Sequence, residues 1–263
     1  MNKDLLIEKI VHNGPLDNLF YFDELDSTNI FAKEYITQNP DSDNILFLTS
    51  YQKKGIGRFS RKWISSPGKN LTFTLVKKFT LSVDEIHRVN FYSSYILYYT
   101  LKDIFRDYSE MKFTLKWPND LLLNGKKVSG FLLELKDISM PDKIFIIGCG
   151  LNMNERDLDE SISVKSTSLA RESDVEIKPE IILIEYVKNF YGNIPLLDEY
   201  PGLMDKWKSG SALIGKNIEF RKYDDETPDS GTVENIDNNG ALCLRYPDGS
   251  LKRFYSGEIT LSV

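Results

Sequence analysis

The chain has 263 residues, of which 41% are hydrophobic and 27% charged, a composition typical of a folded globular protein and unlike a disordered or fibrous one. Acidic residues outnumber basic ones by 39 to 33, and the net charge of -6 disfavours a protein whose main role is to bind nucleic acid. No segment approaches the ~20 apolar residues of a membrane span, and the charged start lacks a signal-peptide core. We therefore expect a cytoplasmic protein with no membrane partner.

The first part of the chain alternates strand and helix signals. The apolar run Leu19 to Phe22 predicts a strand, and the capping residues at 26–29 predict a helix that begins near Thr28 and ends before Pro40. Two further strands are predicted, the second half-buried because it alternates apolar residues with threonines: Ile45 to Ser50 and Leu71 to Val76.

A capping-box pattern at Ser82 to Glu85 predicts a long helix that runs to about Tyr108. Asn124-Gly125 is a strong hairpin signal, since both turn positions need positive φ. It separates two strand-like segments, Leu115 to Leu123 and Lys127 to Leu135, and these are followed by a predicted strand at Ile144 to Asn154 and a predicted helix at Ile181 to Tyr191.

From about Ser211 the pattern changes to short strand-like runs separated by turns such as Asn239-Gly240. This change predicts two domains, residues 1–210 and a small β-barrel at residues 211–263.

The segment from Gln52 to Trp63 crowds five cationic residues and two glycines into one predicted loop of an acidic protein. Glycines let backbone N–H groups approach an anion, and arginine matches carboxylate and phosphate oxygens. The loop is not a Walker A loop, because no GK[ST] follows at the required spacing. An anion-binding loop and an ordinary solvated loop are both compatible with this segment taken alone.

A second cluster combines Lys116 to Asp120 with Lys127, on the two sides of the predicted hairpin. Two lysines with a carboxyl and an amide group could bind a phosphate, a carboxylate and a metal ion together. Gly130 within a strand indicates that another group approaches its backbone. The alternative is a pair of surface lysines on an ordinary hairpin.

The strand around Gly148 has one apolar face and one nearly bare face. If it is extended, Gly148, Gly150 and Asn152 share the bare face. That face could receive a flat ligand, and asparagine could bond a nucleotide; close packing of a helix on the glycines is the structural alternative.

Histidine and cysteine are scarce. The chain has two of each, without the spacing of a metal site or a nucleophile constellation, which argues against a zinc site, a disulfide framework and a Ser-His-Asp or Cys-His hydrolase.

Taken in order, these segments resemble the biotin protein ligase family over almost the whole chain. The matching motifs are Ser27 to Asn29, Gln52 with Gly55 to Trp63, Lys116 to Asp120 (KWPND), Lys127, Gly148 to Asn152 (GxGxN), Ser166 to Leu169 and Ser256 to Ile259. The resemblance implies an α+β fold, with a mixed sheet and helices of the class II aminoacyl-tRNA synthetase type and a C-terminal SH3-like barrel.

The resemblance also assigns roles to individual residues. Lys127 and Arg58 would be catalytic. Biotin would be contacted by Ser27, Thr28, Asn29, Gln52, Gly55, Ile56, Gly57, Arg58, Lys127 and Gly130. The nucleotide would be contacted by Arg58, Arg61, Trp63, Lys116, Asn119 and Asn152, and a metal ion by Asp120.

The implied reaction uses ATP and Mg²⁺, takes biotin as substrate, and needs no tightly bound prosthetic group. The implied partner is a biotin carboxyl carrier protein; DNA binding is not expected, because the segment before Phe20 is too short for a helix-turn-helix, and a homodimer is left open. The alternatives are a lipoate or octanoate ligase of the same fold and a non-catalytic, biotin-responsive regulator.

One motif departs from the family pattern. Ile56, Phe59 and Ser60 stand where the glycine- and arginine-rich loop usually has two arginines and a glycine, so that only a backbone role can be carried over to Ile56. We expect this loop to order over the adenylate and exclude water.

Overall fold

The computed structural model describes residues 1–136, 141–157, 165–222 and 227–261. Most of residues 1–210 is organised around a seven-stranded mixed sheet in the order β1-β2-β5-β9-β8-β7-β6, in which β1 and β2 are parallel and the other neighbours are antiparallel. A short ribbon, β3 with β4, lies beside it. In chain order the strands are β1 Asn18–Phe22, β2 Ile45–Thr49, β3 Gly55–Ile56, β4 Lys62–Trp63, β5 Asn70–Thr80, β6 Phe113–Lys116, β7 Asp120–Leu123, β8 Lys126–Lys136 and β9 Asp142–Asn152. The predicted mixed sheet is confirmed.

Helices cover both faces of this sheet. They are α1 Lys3–Leu6, which continues as a π-helix over Ile7–His12, α2 Thr28–Gln38, α3 Ile86–Ile104, α4 Leu169–Ser173, α5 Pro179–Gly192 and α6 Tyr200–Ser209. No helix within the described ranges is both long and apolar enough to cross a bilayer.

The predicted helix starts agree with the structure. Ser27 caps α2, since its hydroxyl accepts a hydrogen bond from the backbone N–H of Ile30, and the capping box between Ser82 and Glu85 precedes α3. The end predicted near Tyr108 is wrong: α3 ends at Ile104, and the chain turns before reaching β6.

The alternation along β9 positions the functional site. One set of its side chains joins the main core under α3 and α5, namely Phe145, Ile147, Cys149 and Leu151. The other set begins with Ile144 and Ile146, which pack against Ala32 and Ile36 of α2. Gly148, which lies under the first turn of α2, and Gly150 continue this second set, so β9 itself leaves this face of the sheet bare there.

Two strand predictions need correction. The segment from Leu115 to Leu123 is not one strand: β6 and β7 pair with each other, and the chain reverses between Lys116 and Asp120 through a turn with a cis Trp117–Pro118 bond. The strand from Leu71 to Val76 is buried on both faces, because its threonines face α2 and the cavity described below and not solvent.

The C-terminal strands form a separate antiparallel sheet, as predicted. They are β10 Asn217–Arg221, β11 Asp229–Ile236, β12 Leu242–Arg245, β13 Leu251–Phe254 and β14 Glu258–Leu261, in the order β13-β12-β11-β10-β14. This sheet is consistent with an SH3-like fold, but β13 and β14 do not pair within the described residues, so it is not closed as a barrel. It docks through the Trp117 indole, which donates a 2.9 Å hydrogen bond to the Gly240 carbonyl.

Candidate active site

A cavity of about 500 Å³ opens on the bare face of the large sheet. The β3–β4 hairpin, the turn between β6 and β7, and an edge of the small sheet form its walls. Most predicted site residues line it: Ser27, Thr28, Asn29, Gln52, Ile56, Gly57, Arg58, Arg61, Trp63, Lys116, Asn119, Asp120, Lys127 and Gly130.

Two predicted residues lie just outside the lining. Gly55 is packed under Trp63, whose carbonyl oxygen would be 2.6 Å from a Cβ at that position. Asn152 uses its side chain to donate a 3.1 Å hydrogen bond to the Thr167 carbonyl. Their assignments to biotin and nucleotide stay predictions.

Three cations converge on one carboxylate in the cavity. Lys127 Nζ lies 2.7 Å from Asp120 Oδ1, and Lys116 and Asp120 are cross-strand partners at the ends of β6 and β7. Burial lowers the pKa of Lys116 and of Arg58, while the negative charges of Asp120 and Glu258 oppose that shift in both. Glu258 is itself paired with Arg61, so the three cations around Asp120 leave positive charge for an incoming anion.

Gly130 makes this arrangement possible. It pairs with Asp120 across the strands, and a Cβ there would lie 3.0 Å from Lys127 Nζ and 3.2 Å from Asp120 Oδ1. The sequence-based inference that a group approaches the Gly130 backbone is confirmed, and the approaching group is the ion pair itself.

The β3–β4 hairpin brings two arginines to the cavity. Phe59 and Ser60 at its tip have φ of 57° and 56°, the left-handed region that glycine adopts without strain. Arg58 donates a 3.3 Å hydrogen bond to the Asn119 side chain and a 3.4 Å one to the Gly257 carbonyl.

Arg61 of the same hairpin forms an ion pair with Glu258 of β14. Together with the Arg58 contact to Gly257, this pair joins the hairpin to the small sheet. The cavity is therefore closed on one side by a surface that belongs to the C-terminal sheet.

The cavity continues to the start of α2. Gln52 Oε1 accepts a 2.8 Å hydrogen bond from the backbone N–H of Thr28 and lies 3.0 Å from the Thr28 hydroxyl. Both side chains are less than a tenth exposed. This end of the cavity is built from neutral hydrogen-bonding groups and carries the positive end of the α2 dipole.

The bare face of β9 is covered by two side chains of the protein itself. A Cβ on Gly148 would lie 2.2 Å from Asn29 Oδ1, and one on Gly150 would lie 2.3 Å from the Trp63 indole. The Trp63 indole N–H is buried without a hydrogen-bond partner among the described residues. The bare face thus carries protein side chains: the Trp63 indole lies on Gly150, and Asn29 of α2 lies on Gly148, where the alternative of helix packing on the glycines is found.

The sequence did not assign the small-sheet residues to the site. These include Glu219, Arg221, Gly257, Glu258 and Thr260. One signal for them was present, since Ser256 to Ile259 matches a terminal motif of the biotin protein ligases. Their approach depends on how the two sheets dock, which the motif does not specify.

Comparison with known proteins agrees with this fold and site. Residues 20–152 match the Biotin/lipoate A/B protein ligase family, and residues 213–262 match the biotin protein ligase C-terminal domain. A biotin–[acetyl-CoA-carboxylase] ligase from Paracoccus denitrificans is 30% identical over 77% of this chain and 84% of its own length. The bifunctional ligase/repressor BirA of Escherichia coli is 26% identical over 90% of this chain and 72% of its own length.

A solved biotin protein ligase from Aquifex aeolicus, in complex with biotin and ATP, superposes with a TM-score of 0.75. It is 25% identical, and the superposition covers 94% of this chain and 99% of that one. These matches, together with the fold and the cation-lined cavity, define an ATP-dependent ligase. The chain belongs to the biotin/lipoate A/B protein ligase family, and its C-terminal domain is of the biotin protein ligase type, which does not favour the lipoate alternative.

Proposed function

We propose that this ligase joins biotin to ATP, holds the biotinyl adenylate, and transfers the biotinyl group to a lysine of a biotin carboxyl carrier protein. The observation that carries the proposal is the cavity itself. Arg58, Lys116 and Lys127 line it together with the neutral hydrogen-bonding groups of Thr28 and Gln52.

In the first step a biotin carboxylate oxygen attacks the α-phosphorus of ATP, and pyrophosphate leaves. This brings two anions together, and a like-charge pair 4 Å apart at an effective dielectric of 20 costs about 4 kcal/mol. We assign Lys127 to bridge the carboxylate and the α-phosphate, and Arg58, Arg61 and Lys116 to the phosphates. Groups fixed in place by the fold offset that repulsion without having to reorganise during the reaction.

In the second step the neutral amine of the acceptor lysine attacks the biotinyl carbonyl carbon, an amide forms, and AMP leaves with the bonding electrons. A mixed anhydride must be kept from water until then, which is the role we assign to the β3–β4 hairpin. We assign Trp63 and Asn152 to the nucleotide, and Ser27, Asn29, Ile56 and Gly57 to biotin.

Asp120 supplies part of the ligand set that a magnesium ion needs. Mg²⁺ commonly takes one or two protein carboxylates and completes its shell with substrate phosphates and water. Asp120 offers one carboxylate beside the cations, and no group of three or more acidic, histidine or cysteine side chains suited to a metal occurs within the described ranges. When bound, the ion would neutralise negative charge on the phosphates.

Further features belong to the same proposal. We divide the chain into a catalytic domain at 1–210 and a C-terminal domain at 211–263, whose edge forms a wall of the cavity. A cytoplasmic location stays a prediction, which cell fractionation would test. Whether the protein is a homodimer was left open, and sedimentation of the purified protein would determine it.

The test is exchange of labelled pyrophosphate into ATP by the purified protein. We expect exchange that depends on biotin and is not supported by lipoate. Exchange supported by lipoate alone would overturn the substrate, and absence of exchange with either acid would overturn the adenylation step.

A further inference from the structure

The side chain of Asn29 lies across three strands of the large sheet. Its Oδ1 accepts a 2.6 Å hydrogen bond from the Thr74 hydroxyl on β5, and its Nδ2 donates to Glu134 Oε2 at 2.9 Å and to the Leu132 carbonyl at 3.3 Å, both on β8. Gly148 of β9, the cross-strand partner of both Thr74 and Leu132, leaves the room that Asn29 fills. Both N–H donors of the Asn29 amide are therefore used within the protein, and its oxygen is held by Thr74.

Glu134 determines which way this amide faces. Its second carboxylate oxygen accepts a 2.8 Å hydrogen bond from Lys33, and an ionised carboxylate can only accept. The NH₂ end of Asn29 must therefore face Glu134, and its carbonyl end must face Thr74.

The number of hydroxyl protons then fixes the remaining hydrogen bonds. Thr74 has one hydroxyl proton, and Asn29 Oδ1 can only accept, so that proton goes to Asn29. The hydroxyl of Thr28 is 2.8 Å from Thr74 Oγ1 and 3.0 Å from Gln52 Oε1. Two hydroxyl oxygens 2.8 Å apart need a proton between them, and the Thr74 proton is already used, so the Thr28 proton goes to Thr74 Oγ1. That proton points into the protein, and the Thr28 oxygen keeps lone pairs for a ligand N–H.

Gln52 is oriented by the same chain of bonds. Its Oε1 is held by the backbone N–H of Thr28, so its NH₂ end is left over, and no acceptor among the described residues bonds to it. The cavity thus presents an acceptor on Thr28 beside a donor on Gln52. A cyclic urea, in which an N–H adjoins a carbonyl oxygen, is the complement of that pair.

We propose that Thr74 is a positioning residue that sets the hydrogen-bond polarity of the biotin pocket through Asn29 and Thr28, with Glu134 fixing the direction of the chain. This rests on the proposed function. Thr74 is fully buried and does not line the cavity, so it acts through its two neighbours and not by touching the ligand.

The test is the affinity of the full-length protein for biotin and, separately, for ATP, measured by titration calorimetry. Thr74→Val keeps the shape and removes the hydroxyl, and we expect the Kd for biotin to rise about tenfold or more, as for the loss of a buried hydrogen bond, with the Kd for ATP changed less than about twofold. Thr74→Ser, which restores the hydroxyl, should stay within about threefold of the unaltered protein for both ligands.

A double-mutant cycle tests whether the effect passes through Thr28. In a Thr28→Val background, Thr74→Val should change the Kd for biotin by less than about threefold, because the group it positions is already gone. Should Thr74→Val fail to fold by circular dichroism, Thr74→Ala takes its place with the same expectations.

Equal biotin affinity in the Thr74→Val and unaltered proteins would overturn the proposal. So would an equal loss for biotin and ATP in the folded variant, which is the mark of a merely structural role. If the unaltered protein does not bind biotin at all, it is the proposed function that has failed.

Discussion

At the scale of single residues, the position of the active-site lysine depends on the carboxylate of Asp120 and on the absence of a side chain at Gly130. Asp120 contacts Lys127 directly, and Gly130 leaves the space in which the two meet. An anion that enters the cavity competes with Asp120 for these cations. The role proposed for Lys127 therefore depends on Asp120, which orients the lysine and can be displaced from it by the substrate anion.

Lys127→Ala should lower biotin-dependent pyrophosphate exchange by about 100-fold or more, because the charge that offsets the developing negative charge is lost. The matched control is Lys126→Ala, a neighbouring cation on β8 that does not line the cavity, and we expect its exchange to stay near normal. Near-normal exchange by a folded Lys127→Ala variant would remove the role assigned to Lys127.

Lys116 predicts a pH dependence for nucleotide binding. Burial lowers its pKa, so the ammonium loses its charge at a lower pH than an ordinary lysine, and a phosphate ligand binds the charged form. The Kd for ATP should therefore rise as the pH is raised from about 7 to about 10. Lys116→Arg should flatten this profile, because guanidinium stays charged throughout; an unchanged profile would show that another group is responsible.

At the scale of elements, the β3–β4 hairpin is held mainly by its contacts with distant parts of the chain. Its own pairing is limited to two residues on each strand, and Phe59 and Ser60 at the tip have positive φ. The ion pair between Arg61 and Glu258 is largely exposed, and such pairs contribute about 1 kcal/mol or less. We therefore expect this hairpin to open for substrates and to close over the adenylate.

Glu258→Gln should make the free protein more sensitive to trypsin at Arg58 and Arg61, while the melting temperature changes little. Adding biotin with ATP should protect the segment from Lys53 to Arg61 in both proteins, because the ligands supply the anions that order it. Limited proteolysis followed by mass spectrometry measures both effects. Unchanged cleavage on adding the ligands would count against closure of the hairpin over the adenylate.

At the scale of the whole molecule, the active site is assembled where the two sheets meet. The small sheet contributes a cavity wall through Gly257 and Glu258, and it is anchored to the larger part by the bond between Trp117 and Gly240. Gly240 has a φ of +76°, and a Cβ there would lie 2.5 Å from the Phe91 ring. The turn that carries Gly240 therefore fits closely against α3.

Gly240→Ala should destabilise the protein by about 2 kcal/mol or more, from backbone strain together with overpacking against Phe91. The matched control is Gly249→Ala, which has a φ of +84° but no atom within 4 Å of its added Cβ, and which should cost about 1 kcal/mol from strain alone. Thermal unfolding compares the two, and equal losses would contradict a specific role of the Gly240 contact in docking.

Local features of the sequence were enough to predict most elements. The capping residues at Ser27 and Ser82, the Asn124-Gly125 turn, and the alternation along β9 each depend on a few neighbouring residues, and each is present in the structure. The reversal between Lys116 and Asp120 was missed although Pro118, Asn119 and Asp120 are turn-forming residues, because the apolar residues on both sides of them were assigned to one strand.

The sequence by itself determined which chemical groups were available: the cations, the glycines of the bare face, and the hydrogen-bonding residues at the start of α2. Only the tertiary structure decided which of them meet. Arg58 bonds to residues 61 and 199 positions away, and Thr74 bonds to Asn29 across 45 positions. Such contacts are set by strand register and by the docking of two sheets, and local spacing along the chain specifies neither.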